Sequence, residues 1–293
     1  MIPGMFSVLI RSMRPQQWAK NVLIFAGLIF DRQLTMPDSF QRTVFGFALF
    51  CLLTSAIYLI NDLVDLKADR QHPKKKLRPI AAGHLSPTAA VIASLVLLAI
   101  ALGFGFQLSP AFAIICAIYA VLSISYSMWL KHFPIIDVLI LATFYVLRVG
   151  AGVVLISVQR FSPWLYVFTT FFALFLGIGK RRAEILAMGK GGVNTRRVLE
   201  GYTAPFLDQL LLIVLSLAIL TYSLYTFSAP NLPENHAMML TIPFVIYGFF
   251  RYLYLIQVLN TGEAPEEILF TDRLIQADLV FWGASILLIF YIF

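Results

Sequence analysis

The sequence predicts an all-α polytopic membrane protein with nine transmembrane helices, and three observations predict it. Hydrophobic residues fill 60% of the 293 positions and charged residues 13%, where a soluble domain carries about 25% charged residues. The uncharged runs are long and continuous, without the ten-residue alternation of lipid-facing and lumen-facing positions that a barrel requires, so helices must satisfy the backbone in lipid. The remaining charges are bunched, 17 of the 37 lying in residues 61–86 and 180–200. A net charge of +7 on a solvated basic face would point to nucleic acid. Two polar blocks on an apolar scaffold point to the bilayer instead, and no nucleic-acid partner is expected.

A helix needs about 20 mostly apolar residues to cross a hydrocarbon core of about 30 Å. The candidates are residues 21–30 extended at both ends, 44–60, 88–108, 111–130, 135–158, 162–179, 210–227, 237–258 and 274–293. With the N-terminus taken as cytoplasmic, 17 Lys and Arg fall in cytoplasmic segments and three, Arg32, Arg42 and Arg160, outside. This bias places both polar blocks on the cytoplasmic face of the cell (inner) membrane and the C-terminus outside. Arg11 follows the first apolar stretch rather than preceding it, so no cleavable signal is expected. Cys51 and Cys116 fall inside apolar runs and read as buried thiols. The chain, 1–293, reads as a single membrane domain with cytoplasmic polar loops at 61–86 and 180–209; its oligomeric state is left open, a homo-oligomer included.

The first block, Asn61 to Arg70, is predicted to continue the helix of the second span. At 100° per residue Asn61, Asp62, Asp65 and Asp69 share an arc of about 100°. Clustered carboxylates repel unless a cation sits between them, and hard oxygen ligands suit Mg²⁺ beside a phosphate substrate. A solvated helix end, with Asp65 and Asp69 relieved by Lys67 and Arg70, is the plainer alternative. Lys74, Lys75, Lys76 and Arg78 follow between Pro73 and Pro79. Acids for a metal followed by cations for phosphate oxygens suggest a diphosphate held from two sides, against a topogenic or lipid-headgroup patch.

The second block, four spans later, has one acid. Lys180, Arg181 and Glu184 share an arc of about 100° and Arg182 points elsewhere, which suits a direct grip on an anion, or else a Lys180–Glu184 pair. The equivalent places of the two blocks suggest related halves and keep a transporter of anionic substrates in play. Asp137 and Arg148 interrupt the fifth span, at about 2.5–3.5 kcal/mol each for insertion. Either each lines a polar cavity, or Arg148 clamps the carbonyls of another helix.

These strings, in this order, resemble the UbiA-type intramembrane prenyltransferase superfamily, and within it the decaprenyl-phosphate phosphoribosyltransferase branch. The resemblance runs through Arg14-Pro15-x-Gln17-Trp18-x-Lys20-Asn21, Asn61-Asp62-x-x-Asp65-x-x-x-Asp69, His72-Pro73-x-Lys75-x-x-Arg78-Pro79, Tyr126 with Lys131, Tyr145-x-x-Arg148, Gly179-Lys180-Arg181-x-Ala183-Glu184, Glu200-x-Tyr202-Thr203, Arg251-Tyr252, and Gly262-Glu263 with Asp272-Arg273. It implies helices around a central cavity and Mg²⁺-dependent transfer of 5-phosphoribose from 5-phosphoribosyl 1-diphosphate to a polyprenyl phosphate, with release of diphosphate. It implies a place in cell-wall biosynthesis. Many relatives carry a second Asp-rich motif where this chain has Lys180-Arg181-x-x-Glu184, a departure that favours the phosphoribosyl branch over isoprenyl transfer to an aromatic acceptor.

The expected roles follow from the chemistry of that transfer. An acceptor phosphate is already ionised near neutral pH, so the main demand is stabilising diphosphate as it leaves an anomeric carbon. Asn61 and Asp65 are expected to hold Mg²⁺, with Asp62 and Asp69 as further direct or water-mediated ligands, the three acids forming the catalytic set. Lys75 and Arg78 would hold the leaving diphosphate. Lys20, Lys180 and Arg181 would grip the sugar 5-phosphate or the lipid phosphate, with the Tyr58 hydroxyl donating. By their place in the shared motifs Asn21, Tyr126, Lys131, Arg148 and Glu184 join the substrate-binding set.

Overall fold

The computed structural model describes residues 5–73, 75–157, 162–189, 197–259, 268–269 and 271–292. Lys74, Arg160 and the Gly262-Glu263 pair lie outside the described residues, as do Lys190 and Arg196 of the second polar block. The helices are α1 (Met5–Met13), α2 (Phe25–Phe30), α3 (Pro37–Val64), α4 (Leu66–Gln71), α5 (Pro87–Leu108), α6 (Pro110–Met128), α7 (Ile136–Val153), α8 (Pro163–Gly189), α9 (Ala204–Ser228), α10 (Ile242–Gln257) and α11 (Arg273–Tyr291). Among the described residues eight helices are long and apolar enough to cross a membrane: α3, α5 to α9, α10 with its preceding 3-10 turn, and α11. The chain is thus a multi-pass membrane protein.

The starts of these helices are written in the sequence. Ser86, Ser109 and Thr203 stand before Pro87, Pro110 and Pro205, and each accepts the backbone N–H three residues on, from Ala89, Phe112 and Phe206. A side-chain oxygen at the cap satisfies an orphan donor, and a proline in the first turn gives up an N–H that has no helical acceptor. Asp272 caps α11 in the same way, accepting from Ile275 N at 2.9 Å.

The first expected span is the exception. Residues Pro15–Ile24 form a ten-residue 3-10 helix that runs into α2. At about 2.0 Å per residue it covers about 20 Å, and α2 adds about 9 Å, so the broken segment reaches the length of a span without being one α-helix. Polar Gln16, Gln17, Lys20 and Asn21 in its first turns deprive it of the all-round apolar surface of the other spans.

The helices group into two compact units, residues 1–130 with 147–158, and 131–146 with 159–293. In the first, α3 packs against α1, the 3-10 segment, α5 and α6. Its central place is reflected in burial: 61% of its membrane-crossing window is buried against 22% for α5. Two glycines permit close backbone approach. A Cβ on Gly152 of α7 would stand 1.8 Å from Ile24 O, and one on Gly46 of α3 would stand 2.3 Å from the Leu155 side chain. In the second unit α8 packs on α9 and α10 on α11, around a core that includes Phe175, Leu207, Leu211, Phe249 and Tyr252. Phe175 meets Phe249 edge-on at 4.9 Å and Tyr252 at 4.7 Å.

Two expected boundaries are corrected. The helix of the second span stops at Val64, where Asp65 takes φ −86° and ψ 3°, and α4 starts afresh at Leu66. The second polar block begins as helix rather than loop, since α8 runs on to Gly189. Within this extension Arg181 pairs with Asp137 and Glu184, and Arg182 with Asp208.

Candidate active site

Around the helix break at Asp65 the four residues of the predicted acid arc take different settings. Asp62 and Asp69 turn inward and are 3% and 1% exposed. Arg78 Nη1 donates to Asp62 Oδ1 at 3.1 Å and to Asp69 Oδ2 at 2.6 Å. Arg14 Nη2 donates to the same Asp62 Oδ1. A buried carboxylate is tolerable only when paired, and these two acids fasten the 72–86 loop to the end of α3. Among the described residues no group of three or more His, Cys, Asp or Glu side chains is arranged to hold a metal. The plainer alternative, a solvated helix end, does not describe Asp69, which is buried and takes its cation from the loop, at Arg78.

Asn61 lies in the last turn of α3 and Asp65 at the break that follows it. Both are half-buried, and Asn61 Oδ1 accepts from Ser127 Oγ of α6 at 2.7 Å. One amide oxygen and one carboxylate suit Mg²⁺, which keeps several waters and takes one or two protein carboxylates together with substrate phosphates. The donor set fits a metal shared with a diphosphate and is too sparse for one caged by protein alone.

Arg14 precedes Pro15 and adopts a left-handed backbone, φ 54° and ψ 61°, that swings the chain from α1 into the 3-10 segment. A non-glycine residue held there stores strain of about 1–3 kcal/mol. Its guanidinium lies 5.0 Å from the centre of the Tyr58 ring. Lys20 and Lys75 are half-buried in the same unit, as is Tyr126.

Arg148 is buried at 4% exposure. Its Nε donates to Asn21 Oδ1 at 3.0 Å and its Nη2 to Tyr119 Oη at 2.7 Å, while Asn21 Nδ2 donates to Thr54 Oγ1 at 3.2 Å. Arg148 meets polar side chains from two other elements of the same unit. The motif residues Asn21 and Arg148 are thus brought together as one clamp.

In the second unit Asp137 is fully buried. It accepts from Arg181 Nε at 2.6 Å and from the Tyr202 hydroxyl at 2.6 Å. Arg181, 1% exposed, also donates to Glu184. Burial pushes the Tyr202 hydroxyl well above the usual phenol range, and its donated bond to Asp137 adds to this; it stays protonated as a donor. Arg182 does point elsewhere, to Asp208 Oδ1 at 2.5 Å and Ile256 O at 3.2 Å. Lys180 and Lys131 are half-buried. Nothing in the sequence singles out Tyr119 or Ser127, which look like ordinary helix residues; Arg14 and Tyr202 lie within motifs of the resemblance, with no role expected of them.

A family model described as the UbiA prenyltransferase family matches residues 21–271. The chain is 33% identical to a decaprenyl-phosphate phosphoribosyltransferase of Corynebacterium glutamicum over 97% of its own length and 87% of the relative's. It is 30% identical to one of Mycobacterium tuberculosis, covering 94% and 92%. Its fold is similar to that of a UbiA homologue from Archaeoglobus fulgidus solved with DMAPP and Mg²⁺, with a TM-score of 0.72 and 20% identity over 95% of this chain and 98% of that one.

Proposed function

The chain belongs to the UbiA prenyltransferase family, and from that premise we propose that it transfers 5-phosphoribose from 5-phosphoribosyl 1-diphosphate to a polyprenyl phosphate, releasing diphosphate. The observation that carries this reading is the near-full-length similarity to decaprenyl-phosphate phosphoribosyltransferases. The reaction takes place at the cytoplasmic face of the inner membrane, as the distribution of Lys and Arg supports.

Asn61 and Asp65 would hold Mg²⁺, which when bound supplies charge neutralisation to the departing diphosphate. Lys75 and Arg78 receive the diphosphate oxygens, where preorganised cations are worth most as negative charge develops. The ionised acceptor needs no strong base, so no residue of the chain is required to remove a proton from it. Lys20, with the Tyr58 hydroxyl, and Lys180 are assigned to the sugar 5-phosphate or the lipid phosphate. Asp62 and Asp69 act through Arg78, holding it and the loop that carries Lys75 in place. Arg181 and Glu184, Tyr202 and Asp137 keep the end of α8 in register beside Lys180.

The test is transfer of radiolabel from phosphoribosyl diphosphate into polyprenyl phosphate by purified protein with Mg²⁺. Wild type should yield labelled lipid, and Asp65→Ala should lose it by about 10²-fold or more, the scale of removing one electrostatic contributor. Unchanged turnover in Asp65→Ala at saturating Mg²⁺ would falsify the metal assignment, and labelled lipid from an isoprenyl diphosphate donor instead would overturn the reaction.

A further inference from the structure

We infer that the cavity beside α1 is a phosphate-binding site in which Arg11, Arg14, Gln16 and Gln17 are ligands of a phosphorylated group. That the phosphate belongs to a substrate rests on the function proposed above; that the cavity takes a phosphate does not.

The cavity has a volume of about 660 Å³ and is lined by these four residues together with Asp62 and Arg78, among others. Pockets of about 300–1,000 Å³ are the usual size for small ligands. Three guanidiniums meet one carboxylate along its wall. Even with Asp69 counted behind Arg78, the cluster keeps one positive charge in excess.

The donors are also underused. A guanidinium offers five N–H groups. Arg14 spends Nη2 on Asp62, and Arg78 spends Nη1 on Asp62 and Asp69, so the remaining edges of both are available to a ligand. Arg11 is exposed at the C-terminal end of α1, and no bond within the described residues engages the side chains of Arg11, Gln16 or Gln17. Arginine forks and carboxamide N–H groups converging on one space match the acceptor oxygens of a phosphate. The strained backbone of Arg14 supplies the reason for that convergence. Its left-handed turn sends α1 and the 3-10 segment off in different directions, so that residues before and after it face one cavity.

Two sources present this chemistry, a phosphorylated sugar and the headgroup of an anionic lipid. Ribose 5-phosphate titrated calorimetrically into detergent-solubilised protein in EDTA reads the first without the metal. Native mass spectrometry of phosphatidylglycerol adducts in neutral detergent reads the second. Arg11→Gln and Gln17→Leu alter half-exposed or exposed side chains, and thermal unfolding checks that both variants fold. We expect each to weaken at least one of the two probes about tenfold, the loss of one charge-assisted bond; the probe that responds names the source. Wild-type protein that binds neither probe, or variants that bind both as wild type does, would overturn the inference. Failure of the proposed reaction is read separately, from the absence of labelled lipid when wild-type protein is given both substrates and Mg²⁺.

Discussion

At the residue scale, the two charges that interrupt α7, Asp137 and Arg148, are each answered by named partners. Arg148 donates to Asn21 and to Tyr119, and removing it orphans two buried acceptors at roughly 1–3 kcal/mol each. Arg148→Met should therefore lower the melting temperature in detergent. Arg148→Lys should not restore it, because an ammonium cannot reproduce the fork that spans both partners. A melting temperature equal to wild type in Arg148→Met would show the clamp to be dispensable. Intramembrane charge was legible in the sequence as something costly that needed an explanation, but the partners were not: Asn21 lies 127 residues away, and nothing in local spacing selects it. The same holds for Arg78. Its residue type suggested a phosphate ligand, whereas its hold on Asp62 and Asp69 depends on how the loop folds back after Pro73. The acid arc was legible as a set, and the helix break at Asp65 was not, since no glycine or proline marks it.

At the scale of elements, close helix contact turns on glycine. Gly152→Ala would drive a Cβ into Ile24 O, where 1.8 Å is available, and the obstacle is backbone that cannot rotate away. Gly103→Ala on α5 meets nothing within 4 Å and should gain about 0.5–1 kcal/mol from helix propensity. Thermal unfolding of the two variants should move in opposite directions, and parallel shifts would refute the packing argument. Eight spans were legible as elements because their length and apolarity agree, but α3, α8 and α9 outrun the expected 44–60, 162–179 and 210–227 by several residues, since polar residues at their ends still continue the helix. The 3-10 segment was not, since its form comes from polar residues placed against α3 and α7 rather than from local pattern.

The link between α10 and α11 belongs to the same scale. Arg251 Nη2 donates to Asp272 Oδ2 at 2.7 Å, and this bond, ahead of the backbone N–H of Ile275, holds the Asp272 carboxyl below its ordinary range. A depressed carboxyl binds its proton less readily folded than unfolded. Its contribution is therefore present above the unfolded value of about 3.8 and disappears as pH falls through the lower folded value. In Asp272→Asn the fall in melting temperature below about pH 4 should be shallower than in wild type, and an identical acid limb in both would count against this link.

For the whole molecule, the distribution of charge assigns orientation. Lys and Arg number 17 in the segments read as cytoplasmic and three in those read as external, a bias that sets topology during insertion. The structure supplies reporters at opposite ends of one helix. Met36, just before α3, is 54% exposed, and Leu77, in the loop after α4, is 67% exposed. The native thiols Cys51 and Cys116 are buried, at 3% and 0% exposure, so they do not compete for a polar reagent. In a bacterial host, Met36→Cys should react with a membrane-impermeant maleimide in cells whose inner membrane is intact. Leu77→Cys should react only after that membrane is permeabilised. The reverse pattern would invert the protein and place Asn61, Asp65 and the α1 cavity outside the compartment that holds phosphorylated nucleotides and sugars. The proposed donor could then not reach them, so this labelling tests the orientation and, through it, the reaction.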